Sequence, residues 1–166
     1  MRVIPPQFFA KYPLRADFEM LLVWRGYSRF PAGGSGGTIL MHPGRNLVWK
    51  IADDPATRAL SEMMLIAPVD PALPRFFAVA DKKSPYSVIA MEKLAPFPQH
   101  SAWTAWLEGD FQATRGSPAT DPFRASGTLH WLLNEIKARG GELDVQAKNV
   151  LVRRGTQQIV FFDPVY

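Results

Sequence analysis

Three stretches of the chain carry apolar residues at helical spacing. In Leu14 to Trp24 (LRADFEMLLVW), Phe18, Leu21 and Leu22 recur on one face, and Gly26 follows as a stop. After Asp54-Pro55, a capping carboxylate followed by a proline at the first helical position, Leu60, Met63, Met64 and Ala67 fall at i, i+3, i+4 and i+7. Phe123 to Arg139 lines up Leu129, Leu132, Leu133 and Ile136; Asp121-Pro122 opens it and Gly140-Gly141 closes it. The aromatic-rich stretch from His100 to Phe111 also reads as helical.

Shorter apolar runs predict strands over Tyr27–Phe30, Thr38–Met41, Leu47–Ala52, Arg75–Ala80 and Tyr86–Glu92. Pro43-Gly44 sits between two of them as a hairpin signal. Near the end, VLV and IVFF flank the turn RRGTQQ and predict a second hairpin. The front half therefore reads as a sheet with one helix after its third strand. The back half reads as helices with a small hairpin.

Composition sets the limits. A chain of 166 residues is one domain or one small bilobal unit, and 47% hydrophobic with 20% charged suits a folded protein. No apolar stretch has the length of a signal peptide or a membrane span, so a cytoplasmic protein without a membrane partner is expected. The absence of cysteine excludes disulfides, thiolate catalysis and cysteine-based zinc sites. His42, His100 and His130 show no metal-binding spacing. The net charge of +4 suits a polyanion, either a nucleotide phosphate tail or nucleic acid. The basic residues are scattered, with pairs as the longest runs (Lys82–Lys83, Arg153–Arg154), which is the pattern of a solvated surface and disfavours nucleic acid.

Four places carry candidate chemistry. The cluster Gly33, Gly34, Ser35, Gly36 and Gly37 would let backbone N–H groups approach a phosphate; it would equally serve as a flexible hairpin tip. No Gly-Lys-Ser/Thr follows, so it is not a Walker A loop. Lys50 lies inside the apolar run LVWKIA and shares a strand face with Val48, so its ammonium calls for an anion unless the strand is an edge facing water. Glu62 on the following helix either pairs with Arg58 at i, i+4 or reaches Lys50. In the terminal segment, Asn149 opens one strand and Asp163 closes the other, so antiparallel pairing makes them neighbours. Oxygen ligands at such a point suit Mg²⁺ held together with phosphates; alternatively Asp163-Pro164 turns the chain and Asn149 caps a strand.

Taken in order, these segments resemble the protein-kinase-like superfamily of protein kinases and aminoglycoside and choline phosphotransferases. FPAGGSGGTIL resembles the glycine loop, LVWK the lysine strand and ALSEMML the glutamate helix. VIAMEKL resembles the segment joining the lobes, LDVQAKNVLV the catalytic loop and VFFDP the metal motif. The match runs from about Tyr27 to the end and is similar to small kinase-like proteins of bacteria and phages. It implies a bilobal α+β fold. Residues 1–94 would form an N-terminal lobe with a five-stranded antiparallel sheet and one helix. Residues 95–166 would form a truncated helical C-terminal lobe with a β-hairpin.

The resemblance also implies a site. ATP and Mg²⁺ are the expected cofactors. Gly33 to Gly37 would cover the phosphates, and Lys50 would grip them, oriented by Glu62. Met91, Glu92 and Lys93 would meet adenine through their backbone. Asn149 and Asp163 would hold Mg²⁺, and Asp144 would position or deprotonate an acceptor hydroxyl. Two features depart from the family pattern. Glu142 stands where the catalytic loop usually has histidine, and no peptide-docking helices follow Asp163. The acceptor is then a small molecule or a protein, and a homodimer or protein partner is expected over the truncated lobe. A catalytically degenerate binding module is the alternative.

Overall fold

Alternation along the strands of the first half decides how its helices are placed. The structure is a computed structural model that describes residues 1–30, 37–67, 69–81, 83–96, 106, 121, 124–142, 150–156 and 158–161. Two compact units divide the chain: residues 1–67 with 75–93, and residues 68–74 with 94–166.

The first unit is built on strands β1 (Arg2–Ile4), β2 (Ser28–Phe30), β3 (Gly37–Met41), β4 (Leu47–Ala52), β5 (Phe76–Ala80) and β6 (Ser87–Glu92). They form one sheet in the order β1-β5-β6-β4-β3-β2. Helices α1 (Pro6–Lys11), α2 (Arg15–Trp24) and α3 (Pro55–Ile66) accompany it. On one face, Leu40, Ile51, Ala80 and Val88 meet Phe9, Phe18 and Leu22 of α1 and α2. Tyr86 joins them, edge-on to Phe9 at 5.2 Å, and Phe18 stands edge-on to Trp49 at 5.4 Å. Such edge-to-face pairs add to plain area burial. The alternate residues Val48, Lys50, Val79, Ile89 and Met91 point to the opposite face. There α3 packs on β5 and β6, and its buried Leu60, Met63 and Met64 stand apart from the first cluster.

The expected five-stranded antiparallel sheet with one helix is corrected here. The sheet has six strands and is mixed, because β1 runs parallel to β5 with Ile4 opposite Ala80. Pro5 and Pro6 then end the strand and start α1, with Pro6 as a first helical residue that needs no N–H partner. The aromatic side chains of α1 and α2 cover what would otherwise be a bare apolar sheet face.

In the second unit, β8 (Val150–Arg153) and β9 (Gln158–Phe161) form the expected hairpin, with Val150 opposite Phe161. A short strand, β7 (Ala95–Pro96), extends it to three strands. The Arg153 guanidinium donates to the carbonyl oxygens of Pro71 and Leu73 at 2.9 and 3.1 Å, which holds the 68–74 segment to this hairpin. Helix α4 (Ser126–Ala138) buries Leu129, Leu132 and Ile136. Asp121 caps it, accepting from the N–H groups of Ala125 and Ser126, so the helix starts after the expected Phe123. Gly140 takes φ +73° just beyond the other end, the left-handed turn that closes helices. Among the described residues no helix is long and apolar enough to cross a membrane.

Candidate functional site

Lys50 is the charged residue that the first sheet places most pointedly. It lies in β4, an inner strand, between Ile39 of β3 and Ile89 of β6. Only 7% of it is exposed. Burying an ammonium among apolar neighbours costs several kcal/mol, on the order of the desolvation of one ion, unless an anion or polar group answers it. The edge-strand explanation of this lysine is thereby removed, since β4 has a strand on each side.

Gly37, the last residue of the glycine cluster, opens β3 beside this lysine. A Cβ built on Gly37 would lie 3.2 Å from the Cβ of Ala52 and 3.8 Å from the Cε of Lys50. The Lys50 stem therefore runs at ordinary contact distance from this position, and the tight neighbour is Ala52. Gly33, Gly34, Ser35 and Gly36 lie outside the described residues.

Glu62 sits half-buried on α3. On the same helix, Arg58 donates to the carbonyl oxygen of Ser84 at 3.2 Å. The helix that carries Glu62 packs on β5 and β6 of the same sheet.

Met91, Glu92 and Lys93 end β6 and follow it. Met91 is fully buried and Glu92 is 4% exposed. The Glu92 N–H donates to the Arg75 carbonyl at 2.9 Å, and its carboxylate accepts from the Arg75 N–H at 2.9 Å. The Lys93 N–H donates to the Asn46 carbonyl, and its ammonium to the His42 carbonyl, both at 3.4 Å. The N–H donors of Glu92 and Lys93 are therefore engaged inside the unit. Sequence reasoning missed the Glu92 carboxylate as a brace for the start of β5. A carboxylate in an apolar run signals a partner, but the partner is a backbone N–H that no side-chain pattern reveals.

Asp144, Asn149 and Asp163 lie outside the described residues. Among the described residues no three histidine, aspartate or glutamate side chains gather as a metal site.

No protein-family model matches the chain, and no curated protein matches it. Among solved structures, the chain is similar to that of Rad53 1-466 in complex with AMP-PNP, at 14% identity and a TM-score of 0.40. That match covers 90% of this chain and 42% of the Rad53 chain.

Proposed function

We infer that the protein binds ATP with Mg²⁺ and transfers the γ-phosphoryl group to a hydroxyl acceptor. The observation that carries this reading is Lys50, a buried lysine on an inner strand whose stem runs beside the last glycine of a glycine-rich segment. A phosphate tail would lie against Lys50, and backbone N–H groups of Gly33 to Gly37 would cradle it. The hairpin register adds support. Val150 pairs with Phe161, Asn149 comes just before the one and Asp163 two residues after the other in sequence, and two oxygen ligands there would suit Mg²⁺. Asp144 would take the proton of the acceptor hydroxyl as its oxygen attacks the γ-phosphorus. The bond to the β-phosphate oxygen breaks and ADP leaves.

A second reading is a protein that binds nucleotide or a partner without turnover; Glu142, in place of the usual histidine of the catalytic loop, favours it.

Thermal unfolding with ATP, with and without Mg²⁺, tests the nucleotide site. A ligand that binds only the folded state, at about 100 times its Kd, adds about 2.7 kcal/mol. The wild type should therefore unfold several degrees higher with Mg·ATP, and Lys50→Met should lose that shift while still unfolding cooperatively. No shift in the wild type would sink both nucleotide readings.

A further inference from the structure

Cations that lie far apart in the sequence meet at one end of the six-stranded sheet. Arg75 stands just before β5 and Lys93 just after β6. Arg45 lies in the turn between β3 and β4, and Arg25 follows the last residue of α2, ahead of β2. The pairings Ser28 with Met41, Met41 with Val48 and Leu47 with Glu92 set these strand ends side by side. Since β5, β6, β4, β3 and β2 are neighbours in that order, the four cations form a row across the end of the sheet. At about 4.8 Å per strand the row spans roughly 19 Å. The three arginines are exposed. Among the described residues no carboxylate pairs with any of the four, whereas Arg15 and Arg29 both pair with Glu19. Glu92 stands at the same end, but it is 4% exposed and its carboxylate accepts from the Arg75 N–H. The exposed acids of the unit, Asp53 and Asp81, follow β4 and β5 at the opposite end.

The middle of the row is braced. The Arg45 guanidinium carbon lies 5.8 Å from the centre of the Tyr27 ring, and that ring meets the His42 ring edge-on at 5.3 Å. His42 Nδ1 accepts from the Gly44 N–H at 3.0 Å, which leaves Nε2 as the N–H donor of the neutral ring. The Lys93 ammonium rests on the His42 carbonyl. Neighbouring cations without acids repel one another, and a bound polyanion relieves that repulsion.

We propose that this end of the sheet binds a strand of linked phosphates, the chemistry shared by single-stranded nucleic acid and inorganic polyphosphate. The row is wider than one phosphate group, so an extended chain fits it better than a lone anion. Three of the four cations are arginines, whose planar forks take two phosphate oxygens at once. Gly37 pairs with Ala52 at the opposite end of the sheet, and Arg25, Arg45 and Arg75 have no part in the proposed nucleotide site. The inference therefore does not rest on that reading.

Fluorescence anisotropy of a labelled oligothymidylate of about eight nucleotides, titrated with the full chain, tests it. Four phosphate contacts on a single strand should weaken binding about 50-fold between about 50 and 200 mM salt. The double variant Arg25→Gln with Arg45→Gln, at two exposed positions, should keep the thermal midpoint and bind about tenfold more weakly at low salt. With two contacts left, it should lose only about sevenfold over the same salt range. Lys83→Gln, in the turn after β5 at the opposite end, and Lys50→Met should bind as the wild type does. Competition identifies the source. Inorganic polyphosphate that displaces the label as well, per phosphate, as unlabelled oligonucleotide would show that the row reads phosphates alone; weaker displacement would assign it to nucleic acid. Equal displacement by poly-glutamate of matched charge would overturn the phosphate assignment. A wild type that fails to bind at low salt would overturn the proposal, and so would a double variant that binds as tightly as the wild type.

Discussion

Tyr86 shows how one residue couples the N-terminal helices to the sheet. Its hydroxyl donates to the carbonyl oxygen of Tyr12 at 2.8 Å. Burial pushes its pKa up to about 12, and the charges of Asp17 and Asp53 add to the effect. The unfolded chain loses this proton near pH 10, the ordinary tyrosine value, before the folded chain does. The stabilisation is therefore complete below about pH 10 and is lost as pH rises toward about 12. Tyr86→Phe should cost about 1 kcal/mol at neutral pH, the net worth of one hydrogen bond. The difference between wild type and variant should shrink between those two pH values, as followed by denaturant unfolding. A constant difference would mean that the hydroxyl titrates normally. At this scale the sequence was informative where a residue broke its local pattern. Lys50 stood out because the run around it is apolar. The Glu92 brace did not, because its partner is the backbone of a residue far along the chain.

Elements marked by local chemistry were legible, and those held by distant pairing were not. Helix α3 could be placed from its cap alone: the Asp54 carboxylate accepts from the Thr57 N–H at 2.7 Å and from its hydroxyl at 2.9 Å. Asp54→Ala should lower stability by about 1 kcal/mol, and Asp54→Ser should restore most of it. Denaturant midpoints at constant slope would measure both, and an unchanged Asp54→Ala midpoint would show that Pro55 suffices to start the helix. The strands from Ser28 to Glu92 also fall where the apolar runs predict them, within a residue at their ends. By contrast, β1 is three residues long and carries no alternation that could be recognised. Its support is a parallel pairing with β5, more than seventy residues away in the chain. Helix α1 carries Phe8 and Phe9, Tyr12 follows its last residue, and Pro5-Pro6 in front of them reads as a loop. Only the sheet face beneath makes that aromatic cluster a helix worth forming.

At the scale of the whole molecule, the candidate site is a set of residues far apart in sequence, and apart from Lys50 each was singled out chiefly by its order among the others. Gly37 and Lys50 meet within the first unit, while Asp144, Asn149 and Asp163 belong in sequence to the second. The proposed roles divide these residues into two classes, which substitution can separate. Asp163 would hold the metal, so Asp163→Ala should abolish the Mg²⁺-dependent part of the ATP-induced thermal shift. Asp144 would act on the acceptor and leave binding alone, so Asp144→Asn should keep the full shift. Transfer of label from γ-labelled ATP, to water or to the protein itself, reads the chemical step without knowledge of the acceptor. General-base catalysis is worth about 10²–10⁴-fold, so Asp144→Asn should slow that transfer by a factor in this range. A wild type that shifts with Mg·ATP yet transfers no label, with Asp144→Asn indistinguishable from it, would identify a nucleotide-binding module.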